Sequence, residues 1–177
     1  MAIRTILHFP DKRLREKAQP VTFIDDEIRT LVNDMAETMY AASGCGLAAT
    51  QIGVPKRIFV VDPAAKDEPS QLMVFINPEI VARSGEAIWE EGCLSFPSVN
   101  EEIKRAKRVK IRALGLDGKP FELEAEGLLA VAIQHEHDHL DGVLMIDRMS
   151  MLKRKMITRK MEKRAQRGNR NQSEAST

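Results

Sequence analysis

Apolar positions recur at different periods along this chain, and the periods divide it into elements. Ile28, Leu31, Val32, Met35 and Met39 recur every three or four residues, the spacing of one helix face. Asp25 and Asp26 ahead of them offer an N-cap, and Ser43-Gly44 closes the stripe, so the spacing predicts an N-terminal helix from Asp25 to about Ser43. Short β-rich runs follow at 57–62 and 72–77, bounded by polar or proline segments, and another is expected over 86–91. Arg108 to Leu114 alternates apolar and charged, which predicts a strand with one wet face, and Asp117-Gly118 turns it into 121–125. Leu128 to Ile133 is apolar on every side, so the helix expected over about 126–140 is buried, with Gly142 just past its end. Ser150 can cap a last helix over about 150–166, with Leu152, Met156 and Met161 as a thin apolar edge. Strands that cluster instead of alternating with helices predict an α+β fold with mainly antiparallel sheets.

The buried helix is also the polar one. It ends in Gln134-His135-Glu136-His137-Asp138-His139, and three of the chain's four histidines lie in these positions. At ~100° per residue, His135 and His139 share a face and can aim two imidazole nitrogens at one metal ion, while Glu136 projects beside them, placed to take a proton from a water. His137 lies about 200° from His135 and faces away. Unpaired polar groups in a buried helix cost ~1–3 kcal/mol each, which favours a metal over a charged surface face.

Two histidines do not complete a catalytic site of the zinc type, which takes three protein ligands and leaves a fourth position open. The downstream acids, Asp141, Asp147, Glu162 and Glu174, stand in no convincing context. Upstream, Cys93 in Glu91-Gly92-Cys93-Leu94-Ser95 supplies a soft thiolate, and Cys93, His135 and His139 form the natural set. Gly44-Cys45-Gly46-Leu47-Ala48-Ala49-Thr50-Gln51 is either a plain turn or backbone that lies close to a ligand. It is not the dinucleotide fingerprint, since the third glycine is missing. Gln51 carries an amide suited to a substrate oxygen.

Composition narrows the setting. A chain of 177 residues, 43% hydrophobic and 30% charged, suits one soluble domain. No apolar run approaches the ~20 residues of a membrane span, and Met1 to Ile6 carries no signal-peptide core. Two cysteines argue against a disulfide framework and for a reducing compartment, so the expectation is cytoplasmic. The net charge of +1 hides an asymmetry: residues 148–177 hold 10 Lys+Arg against 2 Asp+Glu, and the rest of the chain 17 against 24. Such a basic end is a solvated face or a polyanion contact. The expected organisation is a single catalytic domain over 1–166, its basic C-terminal helix at 148–166, and a disordered polar tail at 167–177.

The three stretches 44–51, 91–95 and 134–139, in this order, resemble the signature motifs of bacterial peptide deformylases of type 1, and the resemblance covers about residues 3–165. It implies antiparallel sheets wrapped around the His-Glu-x-x-His helix, and hydrolysis of the formyl group from N-formylmethionyl nascent peptides with release of formate. It implies Fe(II) as native ion, one per chain, with zinc or nickel as replacements, held by Cys93, His135 and His139. Glu136 would be general base and then general acid, with the Gln51 amide and the Leu94 N–H as oxyanion donors. Cys45, Gly46, Trp89, Glu91, Gly92, Leu128 and Val131 would meet the substrate, residues 44–46 by strand addition. Asp138 would pair with Arg105 behind the ligands. The basic last helix resembles the family's ribosome-docking extension, with rRNA and protein near the exit tunnel as target, and neither membrane nor free DNA as partner.

Three positions depart from the family pattern: Cys45 stands where a branched aliphatic residue is usual, Asn100 where arginine is frequent, and Trp89 where a smaller apolar residue is usual. Two other readings stay open from the residues alone: a metallopeptidase of the His-Glu-x-x-His type, and a non-catalytic ribosome-binding protein with a structural metal.

Overall fold

The strand Ile58–Val61 (β2) is apolar at every position because it is covered on both sides. In the computed structural model, which describes residues 2–174, Ile58 and Val60 face the N-terminal helix α1 (Asp26–Ala41), packing with its Ile28, Val32, Met35 and Met39. Phe59 and Val61 face the opposite side, toward Ala130, Ala132, Ile133 and Leu140 of the central helix α2 (Gly127–Leu140). Asp25 caps α1 as its sequence predicts, its side chain accepting from Ile28 N–H at 3.0 Å.

The other strands are β1 (Gly46–Ala48), β3 (Met73–Ser84), β4 (Ala87–Cys93), β5 (Phe96–Arg105), β6 (Arg108–Leu114) and β7 (Pro120–Glu126). Five form one antiparallel sheet in the order β1-β2-β3-β6-β7, and β4 and β5 form a separate hairpin. The expected α+β class with antiparallel sheets around the motif helix is the class found. On β6, Val109, Ile111 and Ala113 are buried and Arg108, Lys110 and Arg112 face outward, so the period-2 reading holds residue by residue. A third apolar cluster joins Phe96, Val99 and Ile103 of β5 to Leu144, Met145 and Ile146, and to Ile157 and Met161 of the last helix. α2 thus touches the sheet on one side and the hairpin on another, and Gly142 ends it at φ 71°, where an added Cβ would run into the Arg15 carbonyl.

Four expectations are corrected. β5 is absent from the expected elements: positive φ at Ser98 and a register shift at Gly92/Cys93 break its start, and from Val99 on its inward positions include the charged Glu101 and Arg105, so burial alternates but hydropathy does not. β3 runs on past Asn77 to Ser84 through two register shifts, one of which accommodates Pro78. The last helix, α3, spans Met151–Glu174 and does not stop near 166. Residues 167–174 of the expected disordered tail are therefore helical, continuing without a proline from the helix-forming run before them despite Gly168 and two asparagines; residues 175–177 lie outside the described residues. The thin apolar edge expected on α3 is also split. Met161 is buried on the body, whereas Leu152 and Met156 are exposed on the outer side. No described helix is long and apolar enough to cross a membrane.

Candidate active site

One turn of α2 sets His135 and His139 side by side, with their Nε2 atoms 3.3 Å apart. The β4–β5 turn brings Cys93 to them, with Sγ 3.3 Å from His139 Nε2, and all three donor atoms lie within 4.8 Å of one another. Ligands at 2.0–2.3 Å from one tetrahedral ion stand about 3.4 Å apart, so this sulfur and these nitrogens fit a single ion of the zinc or iron type. It is the one such group of three among the described residues.

Behind the ligands runs a line of alternating charge. His135 Nδ1 meets Glu91 Oε1 at 2.9 Å. Arg105 grips the same carboxylate with two donors at 2.9 Å, and reaches Asp138 Oδ2 with Nη1 at 2.6 Å. Arg148 closes the line, donating to Asp138 from Nη2 at 2.8 Å and from Nε at 3.1 Å. Burial pushes the Glu91 carboxyl up, but the donors of His135 and Arg105 prevail and hold it at about 2. The neighbouring acid behaves in the opposite way: burial drives Glu136 up to about 7, against the pull of His135 and Arg105. Its Oε2 is buried with no hydrogen-bond partner among the described residues.

The glycine-rich stretch is backbone in close approach. β1 lies at the edge of the sheet, and a Cβ at Gly46 would sit 2.5 Å from Glu136 Oε1. Gln51 accepts from Ala48 N–H at 2.9 Å, which turns its amide donors toward Ser95 Oγ at 3.1 Å and Cys93 Sγ at 3.7 Å. A cavity of about 440 Å³ opens in front of the ligands. Its wall includes Cys45, Gly46, Trp89, Gly92, Leu94, Asn100, Leu128 and Val131 together with Cys93, His135 and Glu136. Trp89 and Leu128 are 37% and 43% exposed there and leave apolar surface open to solvent. Glu91 also borders the cavity, but its carboxylate is turned onto His135 and Arg105. His137 faces away from the triad and lies 3.6 Å from Asp141.

Two members of the site were not read from the sequence. Glu91 as the partner of His135 had a signal, since residues two apart on a strand share a face with Cys93. Arg148 had none: it reaches Asp138 from the short 3-10 turn Met145–Arg148, outside any periodic stretch.

A soft Cys-His-His donor set on a His-Glu-x-x-His helix, a buried carboxyl beside it and an apolar cavity in front together define a metal-dependent hydrolase of the single-ion type. Comparison with known proteins gives the family. The model of the polypeptide deformylase family matches residues 3–155. A peptide deformylase of Alkalilimnicola ehrlichii is 55% identical, over 95% of this chain and 94% of its own. The crystal structure of a peptide deformylase from Legionella pneumophila superposes with a TM-score of 0.88 at 48% identity, over 96% of this chain and 99% of that one. That of the Ehrlichia chaffeensis peptide deformylase in complex with actinonin gives 0.88 at 38% identity, over 93% and 98%. The chain belongs to the polypeptide deformylase family, and its activity is the hydrolytic removal of the N-formyl group from formylmethionyl peptides.

Proposed function

We propose that Cys93, His135 and His139 hold one divalent ion, Fe(II) natively, which Zn(II) or Ni(II) can replace. When bound, the ion supplies a Lewis acid and brings the pKa of a water toward neutrality. Glu136 takes the proton of the attacking water and returns it to the leaving amine. Gln51 Nε2 and the Leu94 N–H donate to the formyl oxygen, and losing one such donor costs ~3–4 kcal/mol of barrier. The peptide extends the β1 edge through Cys45 and Gly46, with Gly92 leaving room for it, and its methionine side chain sits among Trp89, Leu128 and Val131. Glu91 serves by orienting His135, not by touching the peptide, and Arg105 and Asp138 hold it there.

The observation that carries this reading is Glu136, a buried carboxyl with one unpaired oxygen, beside three converging donors on the wall of an apolar cavity. The test is formate release from formyl-Met-Ala by protein loaded with Fe(II) without oxygen, against E136Q loaded identically. The variant is expected to be at least ~10²-fold slower. Equal rates overturn the assignment.

We place the protein in the cytoplasm, supported by two free cysteines, and assign α3 to ribosome docking. Lys155, Arg159 and Lys163 are exposed, beside the exposed Leu152 and Met156. Lys153, Arg154 and Lys160 are tied to the body instead, at Glu101, Asp147 and the Ser98 carbonyl. Changing Lys155, Arg159 and Lys163 to Glu should abolish salt-sensitive co-sedimentation with ribosomes and leave turnover of small peptides intact. Unchanged co-sedimentation overturns the docking assignment.

A further inference from the structure

We propose that Arg148 is a positioning residue for the metal centre, acting through Asp138, Arg105 and Glu91 on the ring of His135. The inference rests on the ligand set given above. The described polar contacts form one unbroken path of four links: Arg148 to Asp138, Asp138 to Arg105, Arg105 to Glu91, and Glu91 to His135 Nδ1. The charges along it alternate, and its middle is out of water, with the side chains of Arg105 and Glu91 4% and 5% exposed.

Arg148 is 46% exposed, but its partner Asp138 is only 12% exposed, and the guanidinium meets both carboxylate oxygens. This is a two-point grip on a mostly buried acid, not a surface ion pair. Arg105 spreads its donors over two carboxylates. With Arg148 present, each acid has a cation of its own. With Arg148 gone, Glu91 and Asp138 compete for Arg105 alone. Asp138, left with Arg105 as its one cation, then draws the guanidinium off Glu91, which is the group that fixes His135.

His139 offers no second route, because its Nδ1 has no hydrogen-bond partner among the described residues. The path therefore reaches the ligands through His135. Arg148 also stays out of the peptide's way. It lines a separate cavity of about 470 Å³ with Arg83, Lys104, Gln134 and Asp138, and it is not among the residues that line the substrate cavity. Its effect should fall on ion affinity and kcat and leave KM alone.

The test compares R148M and R148K with the parent chain. Metal-free proteins are titrated with Co(II) in competition with a chelator and followed by visible absorption, and formate release is then measured on the loaded proteins. Changes to groups that orient metal ligands typically cost 10–100-fold in affinity, and the half-exposed Arg148 belongs at the low end. R148M should bind Co(II) about 10-fold more weakly, with kcat lowered by a similar factor and KM within twofold of the parent. R148K keeps the charge without the two-point grip and should recover part of the loss. Adding R148M to D138N should cost nothing further, since the path is already cut. Parental Co(II) affinity in R148M, a loss seen only as a lower melting temperature, or full additivity with D138N would each overturn the proposal. If the parent binds Co(II) but releases no formate, the catalytic roles fail while the affinity comparison stands.

Discussion

Replacing Gly46 with alanine should disable the base without touching a ligand. An alanine Cβ would stand 2.5 Å from Glu136 Oε1, 2.9 Å from its Cγ and 3.0 Å from its Cδ, where ordinary contact begins at 3.4 Å. About 0.9 Å must therefore be found at the closest pair. The strand cannot supply it. Gly46 pairs with Val61 and Leu47 with Val60, and Leu47 and Ala48 are fully buried. The helix cannot supply it either, since Ala130, Ile133 and Leu140 of α2 are fully packed against the sheet. The Glu136 side chain is left to swing away. A displacement near 1 Å at a reacting group costs on the order of 10²-fold in rate, which is about 3 kcal/mol of barrier. The assay is formate release at saturating formyl-Met-Ala, with metal content measured on the same samples. The expected result is kcat reduced about 10²-fold at unchanged metal content. A kcat within twofold of the parent would refute the claim that Gly46 is glycine to make room for the base.

Three further outcomes follow from the same contacts. E91Q leaves Arg105 and His135 facing a neutral amide in a buried site, and should lose about 3–5 kcal/mol in denaturant unfolding of the metal-free protein; a loss under 1 kcal/mol would contradict the pairing. Burial pushes the Asp147 carboxyl up, but Arg15, the Leu144 N–H and Arg154 hold it below its ordinary 3.8. Its stabilisation is present above that value and lost as the pH falls through the lower folded one. The stability gap between parent and D147N should therefore narrow below about pH 4, and a gap independent of pH would count against these contacts. G168A, in α3 with nothing within 4 Å of the added Cβ, should raise helicity by circular dichroism and add up to about 1 kcal/mol, with formate release unchanged.

What could be read from the sequence was what has a local pattern. α1, β6 and β7 carry their own repeat, β2 and the start of α2 are unbroken apolar runs with clear bounds, and each lies within a few residues of its expected place. β5 is a different case. From Val99 to Arg105 it alternates in burial, but two of its four inward positions, Glu101 and Arg105, are charged, so the alternation does not show in hydropathy. The ligand set was legible for chemical reasons: His135 and His139 by their spacing, and Cys93 because no other soft donor had a comparable setting. Arg148 was illegible because its role depends on where the chain goes after α2, not on its neighbours in sequence. The outer edge of α3 was misread for a related reason, since a run of basic residues shows a helix but not which side packs.

The burden of polar groups on α2 shows which of them has a task other than holding the fold. Gln134, His135, Glu136, Asp138 and His139 are all buried on one helix. Gln134 accepts from the Ala106 N–H and donates back to its carbonyl, pinning the link between β5 and β6. His135 and Asp138 belong to the line of charges that ends at Arg148. His139 faces Cys93, and its carbonyl accepts from Thr50. Two buried atoms are left over, Glu136 Oε2 and His139 Nδ1. The second belongs to a ring whose other nitrogen faces the thiol. The first has no structural duty at all, and an unsatisfied carboxyl oxygen in a core costs ~1–3 kcal/mol or more. A helix that satisfies nearly every other polar atom and leaves this one bare beside three converging donors is the reason we propose Glu136 for the proton that deformylation must move.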